Sequence, residues 1–251
     1  MPQYALSRHV FVCLQGEHVV FLDVRKDRYF ALEAARTAGL GEWVDGWPVA
    51  TPVASGMALR VGEIPVRHES TGVDREAVAA VLSLLTEKGI LTTHSEGKAA
   101  SPEPSEPLRG EIFVESFDEQ PRVRVGRFIS FVAAALRARL LLKHRTFESV
   151  IARVRRRVIN HASHDPSAEH SVQELVATFA FLRPYFFTAK DACLFDALAL
   201  SEYLATYRVY PRWVFGVQAR PFAAHCWLQL NGIVLNDTVD HVRRYTPIMS
   251  V

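Results

Sequence analysis

The sequence predicts an α+β protein of two modules: a small winged-helix-like module, then a domain of helices followed by strands. Three observations carry this expectation. The stretch "HSEGKAASPEPSEPLRG", residues 94–110, interrupts the chain with prolines, serines and charges. Before it, short β-branched and aromatic runs alternate with turn residues. After it, four long segments of helical apolar spacing precede two strand-like runs.

The composition is compatible with this plan. A chain of 251 residues suffices for one large domain or two ordinary ones. With 49% apolar and 22% charged residues it is globular as a whole. The formal charge of +2 is too small to argue for nucleic acid or an anionic membrane. Cys13, Cys193 and Cys226 form an odd, sparse set, which fits a reducing compartment better than a disulfide scaffold. The opening "MPQYALSRHV" lacks the basic flank and apolar stretch of a signal peptide. The run "FISFVAAALRARLLLKH" is interrupted by Arg137 and Arg139, short of the roughly 18 uninterrupted apolar residues of a spanning helix. The expectation is a cytoplasmic protein with no membrane span.

In residues 1–93, "HVFVCL", "HVVFLDV" and "RYFAL" are separated by "QGE" and "RKD", the signals of a three-stranded antiparallel meander. Further on, "DREAVAAVLSLLTEKGILTTH" places Val78, Val81, Leu82 and Leu85 at helical spacing. Asp74 is its N-cap and Gly89 its stop before a strand-like "ILTT". Strands, a helix and a wing make the winged-helix-like module. Residues 94–112 read as a flexible linker, because Leu108 is the one large apolar residue in the interrupting stretch.

Residues 113–251 open with "RFISFVAAALRARLLLKH", "FESVIARVRRRVI" and "SVQELVATFAFLRPYFF", each with an apolar stripe. The fourth helix, "TAKDACLFDALALSEYLATY", puts Cys193, Ala197, Leu200 and Leu204 on one stripe, with Cys193 near its start. Two caps fit. Thr188 with Asp191 makes a capping box and puts Cys193 in the second turn. Asp191 as N-cap puts Cys193 second in the helix, where the dipole lowers a thiol pKa and free N–H groups face a carbonyl.

The strand "RWVFGV" and the hairpin "AAHCWLQLNGIVLND", residues 223–237, follow. Neighbours on a strand point to opposite faces, so Cys226 does not share a face with His225 and reads as a core residue. A two-residue Asn231-Gly232 turn pairs His225 with Thr238 and turns Asp237 away. A three-residue loop, Leu230-Asn231-Gly232, pairs His225 with Asp237 across the ladder. Both loops are open, and the second builds a His–carboxylate pair that could activate a thiol. Cys at a helix start, His on a strand and Asp on the next is the chain order of papain-like thiol enzymes of the transglutaminase type.

"DACLFDALALSEYL" and "AHCWLQLNGIVLND" resemble the C-terminal core of lasso-peptide maturation B proteins, which are transglutaminase-like cysteine peptidases. The shared pattern is Cys193-Leu194, His225-Cys226-Trp227 and Asn236-Asp237, over roughly residues 120 to 251; the family commonly has a small residue where Cys226 stands. The resemblance implies a papain/transglutaminase-like domain that cuts the leader from a ribosomally made precursor. A partner cyclase, asparagine-synthetase-like and ATP-using, then closes a macrolactam. It implies Cys193 as nucleophile, His225 as general base and acid and Asp237 as orienter. The Cys193 N–H becomes an oxyanion donor, and no cofactor is needed.

The N-terminal module is similar to leader-recognition elements related to the small chaperone of pyrroloquinoline-quinone biosynthesis. The similarity rests on "LD" closing one strand, "YFAL" in the next and "LLTEKGIL" at a helix end. It implies that a leader peptide adds as a strand along Arg28, Tyr29, Phe30, Ala31 and Leu32 and rests against Val78 and Leu82.

Three further features are weaker. "RVRRRV", residues 153–158, reads as a solvated helix face, with a grip on an acidic leader or partner as the alternative. His161, His164 and His170 match no zinc spacing, and Asp165-Pro166 marks a loop, so no metal is expected. Asp240 and His241, just past the hairpin, are alternatives for the triad role, although they sit beyond the strand register that pairs with His225.

Overall fold

A computed structural model gives the architecture and describes residues 3–48, 75–93, 95–101, 106–112, 123–160, 169–187 and 193–251. The chain forms two compact units, Met1–Asp23 with Arg28–Pro102 and Val24–Asp27 with Glu103–Val251. Among the described residues no helix is long and apolar enough to cross a membrane. The fold is mixed α+β.

In the first unit β2 (Val10–Gln15), β3 (His18–Asp23) and β4 (Arg28–Glu33) form the expected antiparallel meander, with Val10 opposite Asp23 and Asp23 opposite Arg28. The central β3 is buried along nearly its whole length and β4 is mostly exposed, as their places in the sheet dictate. α2 (Arg75–Glu87) buries Val78, Leu82 and Leu85. Gly89, at φ +73°, ends it, with the Ile90 N–H returning 2.8 Å to the Leu85 carbonyl. Its expected N-cap, Asp74, lies outside the described residues. The strand-like "ILTT" forms β5 (Leu91–Thr93), paired with β1 (Tyr4–Leu6). Sequence reading missed β1: three residues carry no usable period, and the pairing partner is some eighty-five positions away.

The segment read as a flexible linker is seated at both ends. In the first unit, Leu6 and Lys98 exchange main-chain bonds of 2.9 and 2.8 Å, and the Ala100 N–H reaches the Asp45 carbonyl. In the second, β6 (Gly110–Glu111) lies parallel to β9 (Ile233–Val234), and the Glu106 carboxylate accepts the Gly232 N–H at 2.9 Å. The linker reading weighed side-chain burial alone; main-chain pairing can order a segment that has few apolar side chains.

The second unit holds α3 (Val125–His144), α4 (Phe147–Asn160), α5 (Glu169–Leu182) and α6 (Cys193–Ala205). Its sheet is ordered β10 (Thr246–Ser250), β7 (Arg212–Gln218), β8 (Ala223–Leu230), β9, β6. α6 packs against α3, α5 and β8, and Asp196 to Leu204 are all buried. Its stripe therefore distinguishes no face. α3 turns small residues inward, burying Ala134 and Ala138 with Phe131, while Val125, Ile129, Leu136 and Leu140 are exposed. The small side chains let α6 approach closely, so the larger apolar stripe faces out.

"RVRRRV" is only partly a solvated face. Glu202 of α6 is wholly buried, and Arg157 reaches it at 2.7 Å and Arg153 at 3.5 Å from α4. Arg137 of α3 adds a third contact at 3.4 Å. The three guanidinium groups supply the charge and hydrogen bonds that a buried carboxylate requires.

Candidate active site

Cys193 is the first residue of the buried helix α6 among the described residues. Thr188 and Asp191, the two expected caps, lie outside the described residues.

The hairpin closes by the two-residue turn, with Leu230 opposite Ile233 and both Asn231 (φ +52°) and Gly232 (φ +84°) left-handed. Gly232 is also sterically required, since a Cβ there would lie 2.6 Å from the Pro107 carbonyl oxygen. By strict register this turn directs Asp237 away from His225, as expected above. The structure departs from that consequence because β9 is only two residues long. After one last ladder bond, Leu235 N–H to Leu228 carbonyl, the chain leaves the ladder and bends back. Asp237 Oδ2 thereby comes to 2.5 Å from His225 Nε2.

The same bend leaves the β8 edge open before Leu228. N–H groups two apart on a strand point the same way, so those of Cys226 and Leu228 both face this edge. The Leu228 N–H donates to Asn236 Oδ1 at 2.9 Å. The Cys226 N–H donates to the Cys193 sulfur, which also meets the Cys226 thiol and the His225 ring. Cys193 thus approaches β8 at its edge and touches side chains that belong to opposite faces. His225 Nε2 is engaged by Asp237, which leaves Nδ1 for the thiol.

The electrostatics follow from these contacts. The hydrogen bond from the Cys226 thiol, then the His225 bond and charge, pull Cys193 from 9.0 down to about 4 against its burial. Burial drags His225 down, but the Asp237 and Cys193 interactions override it and lift the imidazole from 6.5 to about 9. Burial acts to raise Asp237, yet donors from His225, His241 and the Thr238 N–H bring it below its ordinary value. Cys13, by contrast, is pushed up to about 12 by burial, and burial likewise raises Cys226. The two shifts run in opposite directions and both favour the thiolate–imidazolium form of the pair. Such a pair can attack a carbonyl carbon and protonate a leaving group.

Several supporting residues carried no clear sequence signal. Asp196, one turn after Cys193, is buried, accepts Asn236 Nδ2 at 3.1 Å and pairs with Arg183 at 3.4 Å. It ties the hairpin to the start of α6, and the one trace of it in the sequence is an acid inside an apolar helix. Gly216 of β7 lies opposite His225, where a Cβ would sit 2.8 Å from Tyr245 Cβ and 2.9 Å from the Trp227 ring. The His225 ring packs 5.1 Å from Tyr245 and 6.1 Å from Trp227. Asp240, an expected competitor for His225, instead pairs at the surface with Arg243.

His225, Asp237 and His241 bring two imidazoles and a carboxylate within 4.8 Å of one another, and their contacts of 2.5 to 3.0 Å are hydrogen bonds, closer than ligands around a shared ion would lie. His161 and His164 lie outside the described residues, and so does the His170 side chain. In the first unit Val78 and Leu82 line a groove of about 940 Å3 with Tyr4, Trp43 and Arg75. Arg28 to Leu32 run along β4, the outermost strand of its sheet, and do not line that groove.

A thiol beside an imidazole that a carboxylate braces is an arrangement with which acyl transfer through a thioester can be carried out. Residues 133–250 match the Transglut_core3 model of the transglutaminase-like superfamily, so the second unit carries a transglutaminase-like domain. Members of that superfamily are typically cysteine peptidases or acyltransferases. No curated protein matches the chain. No solved structure matches it either.

Proposed function

We propose that this protein is a cysteine peptidase that binds the leader of a ribosomally made lasso-peptide precursor and cuts it from the core peptide. The observation that carries the reading is His225 held between the Cys193 thiol and the Asp237 carboxylate, within the transglutaminase-like match.

In this reading the Cys193 thiolate attacks the scissile carbonyl carbon, and the carbonyl oxygen becomes an oxyanion near the start of α6. The imidazolium of His225 gives its proton to the leaving nitrogen as the C–N bond breaks, releasing the core peptide with a free amine. Neutral His225 then takes a proton from water as the hydroxyl attacks the thioester carbon. The C–S bond breaks, the thiolate–imidazolium pair is restored, and the leader leaves as a carboxylic acid that gives its proton to water. Asp237 stabilises the imidazolium and fixes the ring. The free amine is what an ATP-using, asparagine-synthetase-like cyclase would join to a side-chain carboxyl.

The first unit has the role of a winged-helix-like leader-recognition module. The outer edge of β4, Arg28 to Leu32, offers main-chain groups to an added strand, while Val78 and Leu82, largely buried in the core, reach only the floor of the groove beside α2. The edge position of β4 in its sheet supports this part of the reading.

The test is mass spectrometry of a precursor peptide incubated with the purified protein, with and without the cyclase. Release of leader and core in water, abolished in Cys193→Ala, is the expected result. Transfer of the leader to an added amine in place of hydrolysis would make the domain an acyltransferase. Turnover that survives Cys193→Ala would leave only a binding role.

A further inference from the structure

His241 lies in α7 (Val239–Val242), the short turn that follows Asp237, and takes no part in the three-residue arrangement above. Its Nδ1 stands 3.0 Å from Oδ1 and 2.9 Å from Oδ2 of Asp237, so it spans both oxygens. Oδ2 also meets His225 Nε2 and Oδ1 also accepts the Thr238 N–H at 2.7 Å. Asp237 is therefore a carboxylate shared by two imidazoles.

The placement of His241 is built into the turn. Thr238 Oγ1 caps α7 by accepting the His241 N–H at 3.3 Å, which sets the ring four residues beyond Asp237. The His241 ring packs 4.8 Å from the His225 ring and 5.5 Å, edge-on, from Tyr245. Oδ2 thereby faces His225 while rotation of the carboxylate would break contacts on both oxygens.

We infer that His241 is a positioning residue for the Cys193–His225–Asp237 arrangement. It donates its Nδ1–H to Asp237 and fixes the carboxylate against the imidazole that serves the thiol. This rests on the peptidase reading above and adds a fourth side chain to its site. His241 touches neither the thiol nor the scissile bond, so it acts through Asp237. The ionisable neighbours are Asp237 itself, His225 of β8, Tyr245 beyond α7, Glu111 of β6, whose carboxylate accepts the Val239 N–H, and, through His225, Cys193 of α6. Asp240 and Arg243 on the same turn are engaged with each other at 3.7 Å.

The experiment is alkylation of Cys193 by iodoacetate across pH 4 to 10, followed by mass spectrometry, in the full chain and in four variants; the anionic reagent is drawn by the His225 imidazolium, so its rate falls where that ring loses its proton. His241→Leu removes the donor. His241→Asn places an amide N–H at the Nδ1 position, and His241→Gln reaches to the Nε2 position instead. His225→Ala serves as the control for the site as a whole. Thermal melts establish that each variant is folded, which the partial exposure of His241 favours.

The expected result is that the upper pH limit of the reactive window falls by about one unit in His241→Leu and His241→Gln, the size of one lost hydrogen bond to a charged group. His241→Asn keeps the wild-type limit. An unchanged limit in His241→Leu, with His225→Ala still abolishing the window, would overturn the positioning role and leave the peptidase reading intact. A limit lowered equally in His241→Asn would overturn the donor role and leave only packing. A wild-type protein with no reactive thiolate below pH 7 would overturn both readings together.

Discussion

Replacing Asp237 with Asn isolates the electrostatic part of the site, because the side chain keeps its shape and loses its charge. In the wild type the His225 imidazole is lifted from 6.5 to about 9, a rise of about 2.5 units. That rise corresponds to about 3 kcal/mol favouring the protonated ring. Burial opposes it, while Asp237 and Cys193 each contribute a hydrogen bond and a charge. Removing the Asp237 charge leaves burial opposed by the thiolate alone, so the ring loses its proton at lower pH. The sign is fixed: a raised His pKa means the charged ring, and with it the ion pair, is lost as pH rises through that value. The expected outcome is that thiolate–imidazolium reactivity, which persists to about pH 9 in the wild type, ends about two units lower in Asp237→Asn. Rapid-mixing alkylation of Cys193 by iodoacetate, an anion drawn by the imidazolium, measures the limit, and peptide turnover at pH 8 should fall about tenfold. A limit that stays at pH 9 would refute the argument, since Asp237 would then not be what holds the proton on His225.

Other perturbations separate stability from chemistry. Cys226→Ala removes the largest contribution to the low Cys193 pKa, so the lower limit of labelling should rise from about 4 while the melting temperature changes little. Gly216→Ala forces a Cβ against Tyr245 and Trp227, and should cost about 1–3 kcal/mol and a large part of turnover, read by melting and kinetics together. Glu202→Ala leaves three guanidinium groups without their shared carboxylate. It should lower the melting temperature by roughly 6–12 °C, with Cys193 reactivity retained in the folded fraction.

The long periodic elements were legible in the sequence because each carries its own pattern. The meander, α2 with its Gly89 stop and the four helices of the second unit needed only local spacing. What escaped depends on partners far along the chain. β1 pairs with β5 across the whole first unit, and the ends of the supposed linker are ordered by main-chain bonds to Leu6, Asp45 and the β8–β9 turn. Composition cannot report such bonds, since every residue offers the same main-chain groups. The candidate site was legible as residue types in order, Cys193, His225 and Asp237, but its geometry was not. Pairing rules applied to the correct turn placed Asp237 on the wrong side, because they assume that a ladder continues.

The early end of that ladder makes the site possible. Were β9 extended along β8, its main chain would take the outward N–H groups of Cys226 and Leu228. Instead the Asn236 side chain takes one and the Cys193 sulfur the other. Asn236 also reaches Asp196 on α6, so a single side chain closes the exposed edge and fixes the helix that delivers the thiol. Asn236→Ala should therefore uncouple two properties. The Leu228 N–H can recover water at the loosened edge, which limits the stability loss to about 1–2 kcal/mol. The start of α6, no longer tied to the hairpin, would let the thiol drift from His225 by a fraction of an ångström. Displacements near 1 Å cost about a hundredfold in rate. Asn236→Ala with near-normal melting and strongly reduced Cys193 labelling at pH 6 is the expected pairing. Full labelling in that variant would mean that helix packing alone positions the thiol.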